Sequence, residues 1–393
     1  MLSPSQIEAT ASHLIGLYEQ IELDLIGNIA SRLTSSGEIT PDTVGEWHVH
    51  MLEQAGGLRK ENYSLIAKQT GKTDKEIVRI LTDAGFGALE FDEEIYNLAY
   101  SNGILAYLPV PARMSPMIQH ILSGAIDNTR KQFNMINTTA LQSAQESFLK
   151  TINQVYLETS LGITDYNTAM RKATRTLADD GIAGVQYVSS RTGRMTHNHV
   201  DVAVRRCIVT STAQTAGAMQ LQRAKEWGCN QVEVTSHAGA RPTHATWQGK
   251  IYSIEGGTRE YPNLALSTGY GSVKGLKGAN CGHDFYPFFP GISEQTYKPY
   301  SLKENNEIYE RSQKQRALER DIRKQKRRVM AASEMDEGVK KSEQLRLKDK
   351  EQKLRDFLSE TGRTLRANRQ QVLGFGHSEA SKAVWTKRKA QSG

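Results

Sequence analysis

Val232-Glu-Val-Thr-Ser-His237-Ala-Gly-Ala-Arg241-Pro242-Thr-His244-Ala-Thr-Trp247-Gln-Gly249 opens the part of this chain that is densest in reactive side chains. The segment continues through Ser267-Thr-Gly269-Tyr270-Gly271 and closes with Asn280-Cys281-Gly-His283-Asp284-Phe285. Gln231-Val-Glu-Val-Thr235 alternates polar and apolar residues as a half-buried strand does. The glycines and Pro242 that follow call for turns. Together they define a compact, loop-rich α+β module over residues 185–300, inside a chain patterned elsewhere for helices.

Working outward, Val200 to Trp227 reads as a long helix, with Gly228 where a helix-ending glycine belongs. Upstream, Ile118, Ile121, Leu122, Phe133, Ile136, Leu141, Phe148, Ile152 and Val155 recur at helical spacing between the break at Leu108-Pro109-Val-Pro111 and Leu161-Gly162. This predicts one long amphipathic helix, or two end to end, from Met117 to about Ser160. Asp165 restarts a helix through about Leu177. Residues 1–110 read as several short helices, one opening at Ser3-Pro4, one at Thr40-Pro41-Asp42, and one at a Thr73–Glu76 capping box. His48 and His50, two apart, do not share a helix face and read as surface histidines.

Beyond Pro299 the chain has no proline and few leucines among many Lys, Arg, Glu and Gln. It reads as a helical hairpin or coiled coil, with Gly338 as a turn. The expected organisation is a helical N-terminal region (1–110), a long-helix region (111–184), the module (185–300) and a basic, coiled-coil-like helical tail (301–393). The fold class is mainly α with a smaller α+β module.

Bulk properties narrow the function. No apolar run reaches the ~20 residues needed to span a bilayer. Met1-Leu-Ser-Pro-Ser has neither the basic start nor the apolar core of a secretory signal. Cys207, Cys229 and Cys281 are odd in number and widely spaced, which argues against a disulfide framework and for a reducing cytoplasm. The net charge is +7. Residues 301–393 hold 24 Lys+Arg against 14 Asp+Glu, whereas the first 300 residues hold 26 against 29. All the excess positive charge therefore lies in the last quarter, which points to an acidic partner such as nucleic acid, or else to a solvated, salt-bridged helical surface.

Within the module, His237, His244, Cys281 and His283 carry donor atoms suited to zinc, which nitrogen and sulfur ligands hold tetrahedrally. Cys281 and His283 would point the same way on an extended segment. A structural zinc site pinning two loops is one reading. Hydrogen bonding of these side chains to loop backbone is another. A thiol nucleophile with a histidine base, or a metal-dependent nuclease built on the His…Asn280…His283 order, is a third. Trp247, Tyr252, Tyr270, Phe285, Tyr286, Phe288 and Phe289 read as the small core of the module. The glycine loops lack phosphate-loop spacing.

His237-Ala-Gly-Ala-Arg241-Pro242-x-His244-Ala-x-Trp247-Gln248-Gly249, followed by Thr268-Gly-Tyr-Gly271, Gly275-Leu and Asn280-Cys281-x-His283, resembles the minor capsid proteins of tailed phages and prophages of Gram-positive bacteria. It is also distantly similar to Mu-type head-morphogenesis proteins, whose Asp-x-Arg-x-x-His pattern closes on Cys-x-Cys. Here His237 stands near the Asp position and His283 replaces the second Cys. The resemblance implies a structural protein rather than an enzyme, with no catalytic residue carried over. It implies synthesis in the bacterial cytoplasm, placement in several copies at the portal vertex or head interior, and the portal protein, other head proteins and packaged DNA as partners. It suggests a shared metal site at His237, His244, Cys281 and His283. A phage-borne nuclease or thiol hydrolase is the alternative.

Overall fold

The computed structural model describes residues 4–33, 39–188, 193–333, 337–372 and 375. Along the chain run α1 (Pro4–Leu33), α2 (Val44–Ser101), α3 (Pro116–Ser160), α4 (Tyr166–Asp180), β1 (Ala183–Val188), β2 (Met195–His199) and α5 (Val200–Glu226). There follow β3 (Gln231–Val234), α6 (Pro242–Ala245), β4 (Ile251–Ser253), α7 (Leu264–Thr268), β5 (Phe285–Phe288), α8 (Leu302–Ser333) and α9 (Glu337–Thr361). The architecture is mainly α with a small α+β part. Among the described residues no helix is long and apolar enough to cross a membrane.

The N-terminal region differs from the expectation of several short helices. It is two long ones. Thr73 is buried in the middle of α2 rather than opening a helix. Gly56, Gly57 and Gly71 do not interrupt α2 either. Each internal glycine costs about 1 kcal/mol. Against this, Met51, Leu58, Ile66, Ile77, Ile80 and Leu81 are buried along one stripe of the helix, each contributing roughly 1.5–3 kcal/mol. With no proline between Val44 and Ser101, burial wins. Likewise, Gly338 lies in the first turn of α9 and is not the turn itself. The chain between α8 and α9 falls on residues outside the described set.

The chain forms two compact units, neither continuous in sequence. The first comprises the described residues of Met1–Leu17, Ala67–Thr138 and Asp201–Ser312. Its sheet has the order β4-β3-β5, all antiparallel, with Val232 opposite Tyr252 on one side and Pro287 on the other. Val232, Val234, Trp247, Tyr252, Leu264, Leu276 and Phe285 form one core cluster. The aromatics of the module are therefore core, as the sequence indicates. A second cluster joins Tyr96, Ala99 and Leu105 to Ala224, Trp227, Cys229 and Phe289, with the Tyr96 and Trp227 rings stacked 5.3 Å apart. Helix α5 ends at Gly228, whose φ of 71° only glycine adopts cheaply, and the Cys229 N–H donates back to Ala224 O.

Buried beside this core, Asp92 is fully enclosed. Gln220 Nε2 donates to its Oδ2 at 3.1 Å, while Oδ1 has no hydrogen-bond partner. Burial, reinforced by Asp284 and opposed by Gln220 and Lys277, pushes the Asp92 carboxyl up to about 8. The folded state thus holds this proton more tightly than the unfolded chain. Stability is lost as pH rises from the ordinary carboxyl range, near ~4, towards 8. Asp92→Asn, which keeps the shape without the charge, is expected to raise the melting temperature at pH 8. The gain should shrink towards pH 4 when melting is followed by circular dichroism.

The second unit comprises the described residues of Tyr18–Ile66, Thr139–Val200 and Gln313–Gly393. Its β1–β2 hairpin pairs Tyr187 with Thr196 and Val188 with Met195. Glu22 is buried at the base of this hairpin. Its carboxylate accepts from the Ile182 N–H at 3.2 Å and pairs with His199 Nδ1 at 2.9 Å and Arg327 at 3.5 Å. Burial works against that charge, but Arg327, His199 and the Ile182 amide together hold the carboxyl below its usual range. His48, read as a surface histidine, is half-exposed, stacks on Tyr156 at 4.5 Å and pairs with Asn153 at 2.8 Å. Helices α8 and α9 pack through Ile322, Val329, Leu347, Leu354 and Leu358. Buried Gln325 donates to the Glu343 backbone O at 3.0 Å, and Arg366 forks onto Glu319. The thin apolar stripe is therefore supplemented by buried polar pairs.

Candidate functional site

The site is built on the loops that follow β3 and precede β5. After Val234 the chain turns through Gly239 into the single turn of α6, which Pro242 starts at a position where a missing N–H costs nothing. This turn carries His244 inward, where it is buried. The second loop, 269–281, folds back on itself. A Cβ on Gly275 would lie 1.9 Å from Gly269 O, so only glycine allows the two strands of the loop to touch. Lys277 and Asn280 adopt φ of 58° and 56°, unusual for side chains larger than glycine. That strained run delivers Cys281 and His283 next to His244. Arg241 Nη2 ties the two loops by donating to Ala279 O at 2.9 Å.

Of the four residues singled out in the sequence, the structure gathers three. Donor atoms of His244, Cys281 and His283 lie within 4.8 Å of one another. His237 is adjacent but differently employed. Its ring stacks on His283 with centroids 4.3 Å apart. Trp247 closes another side, 4.5 Å from the His244 ring and 4.8 Å from that of His283. Asn280 is exposed and outside the group.

Hydrogen bonds fix the imidazoles. His244 Nε2 faces the Lys274 carbonyl oxygen at 2.8 Å, so it must carry the proton. Gln248 is fully buried, and its Oε1 accepts the His237 backbone N–H at 3.0 Å. The same oxygen faces His283 Nε2 at 3.0 Å, which therefore donates as well. Both rings are left with an unprotonated Nδ1, and that of His283 lies 3.6 Å from Cys281 Sγ. Burial, then the neighbouring His237, His244 and Arg241, pushes the His283 imidazole down to about 2. Burial also lowers His244 and His237 and raises the Cys281 thiol. The trio is thus two neutral imidazoles and a neutral thiol. A cysteine hydrolase works with a depressed thiol, the opposite of the direction in which burial moves Cys281. Among the described residues no carboxylate joins the group.

Two residues that matter here escape sequence reasoning. Gln248 sits at the hub of the histidines; the motif Trp247-Gln248-Gly249 includes it, but nothing in the sequence assigns it that role. Asn305 belongs by sequence to the charged tail, yet it is fully buried. It brackets Ala240 of the site loop with two 2.8 Å hydrogen bonds, one to its N–H and one to its C=O. The first turns of α8 are therefore part of the module's unit.

The family model for Phage minor capsid protein 2 matches residues 2–359. The chain belongs to this family. It is a phage minor capsid protein, a structural component of the virion, as the resemblance implied. A structural protein of Lactococcus phage LL-H is 24% identical to this minor capsid protein over 319 residues, 79% of this chain and 83% of that protein. A structural protein of Lactococcus phage mv4 is 38% identical over 73 residues, which are 19% of this chain and 58% of that relative. No solved structure matches.

Proposed function

We propose that this minor capsid protein works at the portal vertex and in the head interior of a tailed phage, in several copies. There it would bind portal and other head proteins during assembly and approach packaged DNA through its last quarter. Family membership carries the reading, and two physical features support it. Ile104, Tyr107, Leu108, Val110, Met114 and Met117 are all exposed within a short stretch of the first unit, where a soluble monomer has little reason to show so much apolar surface. The last 93 residues carry all of the excess positive charge. Part of that charge is spent internally, in pairs such as Arg328 with Asp179 and Arg366 with Glu319. The surplus remains for phosphate.

A sequence-independent phosphate contact is strongly salt-dependent. Each contact contributes about 0.9 to the slope of log affinity against log salt. Lys341, Lys348 and Lys353 lie exposed on α9. Changing all three to Gln is expected to weaken binding to duplex DNA of any sequence and to flatten the salt slope. The measurement is fluorescence anisotropy across a salt series. Binding that ignores both salt and the triple substitution would remove DNA from the proposed role. Truncation is the wrong tool, because Asn305 and Ile308 of α8 support the site loop.

A further inference from the structure

We propose that His244, Cys281 and His283 bind one zinc-class divalent ion, through Nδ1 of each imidazole and Sγ of the cysteine, with His237 as a stacking neighbour and not a ligand. The proposal does not depend on where in the head the protein sits. Three observations carry it. One ligating atom from each of the three residues lies within 4.8 Å of the others, and the rings of Trp247 and His237 pack against the group. Each ligating imidazole has its Nε2–H engaged by a carbonyl oxygen, Lys274 O for one and Gln248 Oε1 for the other. Outer partners of this kind fix ring orientation and leave the other nitrogen for metal. Finally, the 269–281 loop, which takes left-handed geometry at Lys277 and Asn280, presents Cys281 beside His283 with Sγ 3.6 Å from Nδ1.

The donor set chooses the metal. Two imidazoles and a thiolate, with no carboxylate in the group, suit zinc and exclude the oxygen-seeking magnesium and calcium. Cys281 is partly exposed, which gives the ion a way in. On binding, the thiol proton passes to solvent and the sulfur–metal bond takes its place. The remaining tetrahedral position falls to solvent or to a neighbouring protein in the head. Gln248 Nε2, buried beside the trio with no hydrogen-bond partner, fits a site completed by something other than this chain.

The test uses the full chain, stripped with chelator, equilibrated with Zn²⁺, desalted and analysed by plasma mass spectrometry. One zinc per chain is expected, with a higher melting temperature than the stripped form. Cys281→Ser and His283→Ala should lose the zinc. His237→Ala should keep it, and zinc loss in that variant would overturn the three-ligand assignment. Should Cys281→Ser fail to fold, the wild-type protein loaded with Co²⁺ decides. The expected result is intense tetrahedral ligand-field absorption with a thiolate-to-cobalt charge-transfer band. Absence of that band, no zinc retained by the wild type, or equal retention by a folded Cys281→Ser variant would overturn the proposal.

Discussion

Replacing Arg223 by alanine is expected to cost about 3 kcal/mol, enough to threaten the fold of the first unit. The side chain is 2% exposed. Its guanidinium forks onto Glu93, bonds Glu226 Oε2 at 2.9 Å and donates to Val110 O at 2.8 Å. It also lies over the Trp227 ring at 5.4 Å. Removing it strands two carboxylates in a poorly solvated place. Glu93 keeps 27% of its side-chain exposure and Glu226 16%. Their desolvation is therefore incomplete, which places the cost at the lower end of the range for buried pairs. Arg223→Lys should recover only part of the loss, because an ammonium cannot reproduce the planar fork. By contrast, Lys225 and Glu255 form a pair exposed to water on both sides, and Lys225→Ala should be nearly silent. Urea unfolding of the three variants orders them. Comparable destabilisation by Lys225→Ala and Arg223→Ala would contradict this ranking.

The second large effect is expected at Gly275. An alanine Cβ there would sit 1.9 Å from Gly269 O and 2.3 Å from its carbonyl carbon, a clash with backbone that no side-chain rotation relieves. The two sides of the 269–281 loop must part, at a cost of about 3 kcal/mol, the upper end of the usual scale for overpacked sites. Parting them also moves Lys274 O away from His244 Nε2 and shifts Cys281. Gly275→Ala should therefore lower both the melting temperature and zinc retention. Gly271→Ala, in the same loop, is the control. Its φ of 88° strains alanine, yet no atom lies within 4 Å of the added Cβ. It should destabilise less and leave His244, Cys281 and His283 together.

Much of this molecule can be read from its residues. The stripe from Ile118 to Val155 specifies α3, Gly228 marks the end of α5, and Gln231–Thr235 announces the central strand of the module. Each signal is local, and each element follows local rules. Helix α2 is harder to read, because glycines and a Thr–x–x–Glu pattern imitate boundaries that burial of Leu58, Ile77 and Ile80 overrides. The interleaving of the chain into two units has no sequence signal, since it depends on contacts among residues far apart in the chain. In the site, residue chemistry and spacing single out His237, His244, Cys281 and His283, of which the structure gathers the last three. Only three-dimensional structure turns His237 into a stacking partner, makes Gln248 the shared acceptor, and recruits Asn305 from the tail. Glutamine and asparagine are common on surfaces, and nothing local marks the ones that are buried.

The most direct test of a portal-vertex role is cross-linking mass spectrometry on purified, nuclease-washed virions with their DNA in place. Cross-links from this chain to the portal protein are expected, together with cross-links from lysines of α9 to DNA that disappear from emptied heads. Cross-links confined to tail proteins, or a chain missing from the mature particle, would contradict that role.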